Sequence, residues 1–189
     1  MGYENMANEH STLEKTSKFL SYILRHKPDS IGLHLDEQGW AAVDDLIARA
    51  REHDTALTLE LIRQVVVTSD KQRFALDESN RRIRANQGHS VQIDLALAPT
   101  SPPEVLYHGT ATRFVDAIRT EGLTPRSRQH VHLSTTVETA MSVGARHGKP
   151  VILSIQAGEM ARQGFLFYCA ENGVWLTEQV PAHFIVIAG

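Results

Sequence analysis

Between residues 95 and 104 the chain reads LALAPTSPPE. Pro99, Pro102 and Pro103 fix φ and lack a backbone N–H, so neither a helix interior nor a central strand can run across them. Thr100 and Ser101 between them add turn chemistry. The break divides a chain of 189 residues into stretches of 11–95 and 104–189, with 96–103 as a linker. Each stretch is long enough for a small domain of its own.

The N-terminal stretch alternates helix signals and ends on a strand pair. A helix is expected over residues 12–26, with Phe19, Leu20, Ile23 and Leu24 on one apolar face and Pro28 preventing its continuation. GLHLDEQGW is a short extended piece with alternating Leu33 and Leu35, closed by a turn at Gly39. AVDDLIARARE is a second helix, with Val43, Leu46, Ile47 and Ala50 on its inner face. TLELIRQVVVTS is a third, capped by Thr58 and buried along Leu61, Ile62 and Val65. RFALD and RRIRAN flank ESN as a β-hairpin. Three helices followed by a hairpin is the order of a winged helix, although a fold alone licenses no function.

The C-terminal stretch reads as α+β with strands dominating and no βαβαβ rhythm. VLYHGT, VHLST, PVILSIQ, FLFYCAENG, VWLT and FIVIA are strand signals. RFVDAIRTEGL is a helix that stops at Gly122. TVETAMSVGARHG is another, opened by Thr135 or Thr136.

Composition excludes several functions. With 42% hydrophobic and 22% charged residues the chain is globular, and no apolar run approaches the ~20 residues of a membrane span. MGYENMANEHSTLEK contains no secretory h-region, and Met6 breaks the myristoylation pattern. The single cysteine, Cys169, excludes an internal disulfide. A cytoplasmic monomer is expected. The net charge of −3 argues against sequence-independent coating of nucleic acid. It leaves room for a local cluster that recognises one or two phosphates.

The chain contains no G-x-x-x-x-G-K-[ST] loop and no G-x-G-x-x-G after a strand, so ATP-dependent and Rossmann readings have no support. His130 and His132 share a strand face, but no carboxylate follows nearby and no metal is expected. Cations at element ends stand out instead. Arg25, His26 and Lys27 close the first helix, where they either complement the helix dipole or address an anion. Lys71 and Arg73 sit at the mouth of a strand, and Arg84, Asn86, Gln87, Gly88, His89 and Ser90 end the next. Arg126 and Arg128 precede a third. Each cluster can be a solvated turn, yet several converging in a fold would hold a phosphate, because guanidinium forks match its oxygens. In YHGT, Gly109 lets backbone approach a ligand closely, flanked by His108 and Thr110 as hydrogen-bonding groups.

Together SKFLSYILRHKP, DKQRF, IRANQGHS, LYHGT, VHLS and NGVWLT, in that order, resemble the NAD-dependent RNA (tRNA) 2′-phosphotransferase family. The resemblance covers nearly the whole chain. It implies an N-terminal winged-helix lobe that binds RNA and a C-terminal lobe similar to the ADP-ribosyltransferase fold of poly(ADP-ribose) polymerases. The implied catalytic residues are Arg25, His26, Arg73 and Arg128, with Arg126 the alternative for the last. NAD+ would be held by His108, Gly109, Thr110, His132, Leu133 and Ser134, and RNA or phosphate by Lys71, Asn86, Gln87, Gly88 and His89. Val174 stands where the polymerases carry a glutamate, which argues against protein ADP-ribosylation as the main task.

The implied partners are 2′-phosphorylated RNA, tRNA among them, and NAD+ as a consumed co-substrate. The 2′-phosphate would attack the ribose C1″ of NAD+, expelling nicotinamide. The ribose 2″-hydroxyl would then attack phosphorus, releasing 2′-OH RNA and ADP-ribose 1″,2″-cyclic phosphate. Fixed arginines can stabilise the charge on phosphorus without a metal, and His26 can serve as base or acid near neutral pH.

Overall fold

The computed structural model describes residues 2–187. By its internal contacts the chain divides into two compact units, Met1–Ala96 and Leu97–Gly189. The architecture is mixed α and β with small sheets, and every strand pair in them is antiparallel. Among the described residues no helix is long and apolar enough to cross a membrane.

In the first unit, helix α1 spans Gly2–Arg25 and so begins earlier than the expected start near residue 12. No proline interrupts these residues, and a Glu14–Lys18 pair at i, i+4 reinforces the middle. Leu20, Ile23 and Leu24 are fully buried, as their spacing predicts. The helix stops at Arg25: the N–H groups of His26 and Lys27 both donate to the Tyr22 carbonyl, and Pro28 opens a 3-10 turn. Strand β1 (Ala41–Ala42) leads into α2 (Val43–Glu52), and α3 (Leu59–Thr68) follows. The Thr58 hydroxyl caps α3 by accepting from the Leu61 N–H at 3.1 Å. Strands β2 (Phe74–Leu76) and β3 (Arg82–Ala85) form the expected hairpin, with Ala75 opposite Arg84. Asp77 holds its turn by accepting from the Arg81 and Arg82 N–H groups. β1 adds to the other edge of β3, which the two alanines did not signal. Leu33 and Leu35 form no ladder, although Leu33 is buried.

The second unit carries two three-stranded sheets. One is ordered β4 (Leu106–Ala111), β6 (Pro150–Ile155), β9 (Ile185–Ile187). The other is ordered β5 (Val131–Leu133), β8 (Trp175–Thr177), β7 (Phe167–Cys169). Every strand signal is realised; Ala188, the last residue of FIVIA, lies outside the described residues. Helix α4 covers Val115–Glu121 and stops at Gly122 with φ +77°. Helix α5 covers Val137–Gly144, capped by Thr136 rather than Thr135. A further helix, α6 (Ala157–Arg162), has no counterpart in the sequence reading: six residues are too few to show a helical period.

Gly109 has a different importance from the one its motif suggests. α5 crosses β4 so closely that a Cβ on Gly109 would lie 1.6 Å from the Ala140 carbonyl oxygen and 2.8 Å from the Gly144 nitrogen. Gly144 meets Thr110 backbone at 2.7 Å in the same way. The two glycines let helix and strand backbones touch. Since backbone cannot yield as a side chain does, Gly109→Ala lowers stability by at least the ~1–3 kcal/mol typical of overpacking. A thermal melt tests this, and an unchanged Tm would contradict the close approach.

Candidate functional site

In the first unit the segment Asn86–Ser90 organises the basic residues. The Asn86 N–H donates to the Arg73 carbonyl at 2.9 Å, and its side-chain amide donates to the Gln72 carbonyl at 2.6 Å. Arg73 is thereby fixed on a turn in which Gln72 has φ +41° and the Ser69 hydroxyl accepts from the Arg73 N–H. Lys71 is exposed on that turn. At the other end of the segment, the Ser90 N–H donates to the Arg25 carbonyl at 2.9 Å. The Ser90 hydroxyl is hydrogen-bonded to Nδ1 of His26, also at 2.9 Å. The Arg25 guanidinium lies 5.9 Å from the ring centre of Phe74, the residue after Arg73.

Asn86 and His89 are placed differently from surface contacts to RNA. Asn86 is only 6% exposed and His89 only 2%. Gly88, with φ +89°, turns the chain so that the His89 ring goes inward. Gln87 is half-buried. Neither ring nitrogen of His89 has a hydrogen-bond partner. Burial first, and then the charges of Arg25, His26 and Arg84, push its pKa down to about 3. Arg84 was singled out in the sequence without a role. It is buried, and its guanidinium stacks 4.7 Å from the Trp40 ring, with Arg82 at 5.3 Å on the same ring. The period-2 spacing of Arg82 and Arg84 in RRIRA is the signal that places them on one strand face.

Folding thus excludes from His89 a proton that the unfolded chain binds below about pH 6.5. Stability from this source is intact above that pH and falls as the pH drops from 6.5 toward 3. Between pH 7.5 and pH 5 the loss is about 2 kcal/mol. Urea unfolding at both pH values checks this. His89→Gln, which cannot titrate, is expected to lose about 2 kcal/mol less than wild type over the interval. Parallel losses would show that His89 is not held neutral.

In the second unit β4 and β5 are joined at one bridge, where Tyr107 and Ser134 exchange backbone hydrogen bonds of 2.8 Å. This sets YHGT beside VHLS. His108 Nδ1 donates to the His132 carbonyl at 2.9 Å, since a carbonyl can only accept. Burial holds His108 below its ordinary pKa, against the pull of that carbonyl and with help from Arg128 and His147. His108 therefore has a defined neutral tautomer, with Nε2 the acceptor. Arg128 Nη1 donates to His132 Nδ1 at 3.0 Å, and because arginine has no acceptor, that nitrogen carries no proton. Arg126, with φ +56°, instead stacks 5.9 Å from the Phe114 ring.

Thr110 is buried, and the Leu133 side chain belongs to the core between the elements. Gly109 is occupied by α5, as above. His108, Arg128, His132 and Ser134 are the candidates brought together in this unit. Arg146 joins them electrically: after burial, its charge lowers the pKa of Arg128. Its motif, RHG after α5, carried no signal separable from a helix end. Val174 closes the turn before β8 by accepting from the Ala170 N–H. Among the described residues, no three His, Cys, Asp or Glu side chains are grouped so as to hold a metal ion.

A sequence model of the RNA 2'-phosphotransferase, Tpt1 / KptA family matches residues 11–179. A probable RNA 2'-phosphotransferase of Acaryochloris marina is 57% identical over 174 residues, covering 92% of this chain and 96% of the relative. One of Pseudomonas fluorescens is 58% identical over 174 residues, with the same coverage. One of Nostoc punctiforme is 50% identical over 175 residues, covering 93% and 97%. Matches of this extent run through both units and through every motif described above. The chain belongs to the RNA 2'-phosphotransferase, Tpt1 / KptA family.

Proposed function

We propose that this chain removes an internal 2′-phosphate from RNA by transferring it to NAD+, with nicotinamide and ADP-ribose 1″,2″-cyclic phosphate as the other products. The observation that carries the reading is the pairing of Arg25 and His26 at the end of α1, where Ser90 bonds both residues. A guanidinium and an imidazole held side by side suit a phosphate whose ester oxygen must gain or lose a proton. Arg73, braced by Asn86, is a further cation for the charge that accumulates on phosphorus.

The order α1, β1, α2, α3, β2, β3 supports reading the first unit as a winged helix that binds the RNA. The two antiparallel sheets of the second support the ADP-ribosyltransferase-like reading. Its donor set fits NAD+. Neutral His108, with Nδ1 committed to a carbonyl, suits a hydroxyl-bearing ribose better than a charged imidazolium would. In this reading His108, His132 and Ser134 of the second unit hold the dinucleotide, with Arg128 its candidate catalytic cation, and Arg25, His26 and Arg73 of the first unit hold and polarise the phosphate.

The test is single-turnover reaction with NAD+ and an oligonucleotide carrying one labelled internal 2′-phosphate. Wild type is expected to move the label to a small ADP-ribose product. Arg73→Ala and His26→Ala are expected to slow the attack on phosphorus by about a hundredfold, the typical loss for one contact made in the transition state. An RNA-2′-phospho-ADP-ribose species would then accumulate as a slower band. No transfer by wild type refutes the reading. A persistent ADP-ribosylated macromolecule as the end product indicates ADP-ribosyl transfer instead.

A further inference from the structure

The geometry points to Ser90 as the positioning residue for His26, an assignment that rests on the reading of His26 as the proton carrier. Four observations bear on it. Ser90 is 64 residues from His26 in sequence, so the 2.9 Å contact between its hydroxyl and Nδ1 is tertiary rather than an accident of local chain geometry. The same residue donates its N–H to the Arg25 carbonyl at 2.9 Å, with the Val91 N–H also reaching that oxygen at 3.4 Å. The serine is thus registered on the backbone of the pair whose side chain it addresses. His26 lies one residue beyond α1; a last helical bond from its N–H to the Tyr22 carbonyl at 3.1 Å holds its backbone but does not set the orientation of its ring. The turn that delivers Ser90 is built for the purpose by Gly88, with φ +89°, and by the buried ring of His89.

A hydroxyl suits this role because it both donates and accepts. It can donate to Nδ1 when that nitrogen is bare and accept from it when the ring is protonated, so the contact survives a proton's arrival and departure. With Nδ1 engaged by Ser90, proton exchange with the substrate falls to Nε2. A fixed ring also presents that nitrogen at one angle, which general acid–base catalysis requires before any matching of pKa. Arginine, lysine or a carboxylate at position 90 would hold only one protonation state. Serine biases neither.

Selective ¹⁵N-histidine labelling and long-range ¹H–¹⁵N spectra report the tautomer of His26 directly, with the signal assigned by its loss in His26→Asn. Wild type is expected to show the Nδ1 shift of a nitrogen hydrogen-bonded to a hydroxyl, and Ser90→Ala an Nδ1 shift moved away from it as that bond is lost. Ser90→Ala retains both backbone hydrogen bonds to Arg25, so its melting temperature is expected to stay at the wild-type value. Its kcat with NAD+ and the 2′-phosphorylated oligonucleotide is expected to fall about tenfold, a part of the ~10²–10⁴ that a positioned acid or base contributes. KM for NAD+ stays unchanged, and Ser90→Thr restores both spectrum and kcat. An unchanged spectrum or an unchanged kcat in Ser90→Ala overturns the assignment, as does a loss that Ser90→Thr fails to restore. Inactive wild type would refute the functional reading instead, while the spectra would still decide whether Ser90 fixes the ring.

Discussion

Two main-chain carbonyls, those of Arg25 and Arg73, decide where the first unit displays its cations, and one short segment holds both. Asn86 donates to Arg73 and Ser90 to Arg25. Each such bond contributes only about 0.5–1.5 kcal/mol net, but their arrangement matters more than their sum. Arg25 and Arg73 lie on separate elements, and nothing in the local chain would keep them in register. Five residues that bond one at each end set that register. This also explains why Asn86 and His89 are buried: the segment works from behind the cations, and only a buried brace is stiff enough to position them.

The second unit reaches the same end through its sheets. The near contact of α5 with β4 at Gly109 and Gly144 seats YHGT, and the bridge between Tyr107 and Ser134 seats VHLS beside it. Two hydrogen bonds then fix the protons. Arg128 leaves His132 Nδ1 as an acceptor, and the His132 carbonyl takes the Nδ1 proton of His108. Orientation and tautomer are what this unit supplies, with burial keeping His108 neutral.

The sequence made the elements legible where they were long or capped: the α1 stripe, the Thr58 cap and the hairpin around Asp77 all form as their patterns indicate. Short pieces were not. β1 is two alanines that owe their strand geometry to β3, and α6 is one and a half turns without a period. Among candidate site residues, residue type brought out the basic clusters that contain Arg25, His26, Arg73 and Arg128, because clustered cations stand out in an acidic chain. The family resemblance rather than the pattern gave these four their roles. The direction in which a side chain faces was not legible. His89 looked like a surface ligand and goes inward; Ser90 looked like a loop residue and bonds His26. Gly109 was read for ligand approach, whereas its missing Cβ makes room for a helix.

What remains to be weighed is whether the charge at the end of α1 serves the helix or an anion. A last-turn arginine that only complements a helix dipole contributes about 0.3–1 kcal/mol and is replaceable by any cation. A guanidinium that grips phosphate through two parallel bonds is not, since lysine keeps the charge and loses the fork. The decisive measurement is turnover of a 2′-phosphorylated oligonucleotide with NAD+ by wild type, Arg25→Lys and Arg25→Ala, with thermal melts alongside. The account predicts that both variants lose about a hundredfold in rate or more while their melting temperatures barely move. Near-wild-type turnover by Arg25→Lys would contradict the phosphate fork, and near-wild-type turnover by Arg25→Ala would reduce this arginine to a partner of the helix dipole.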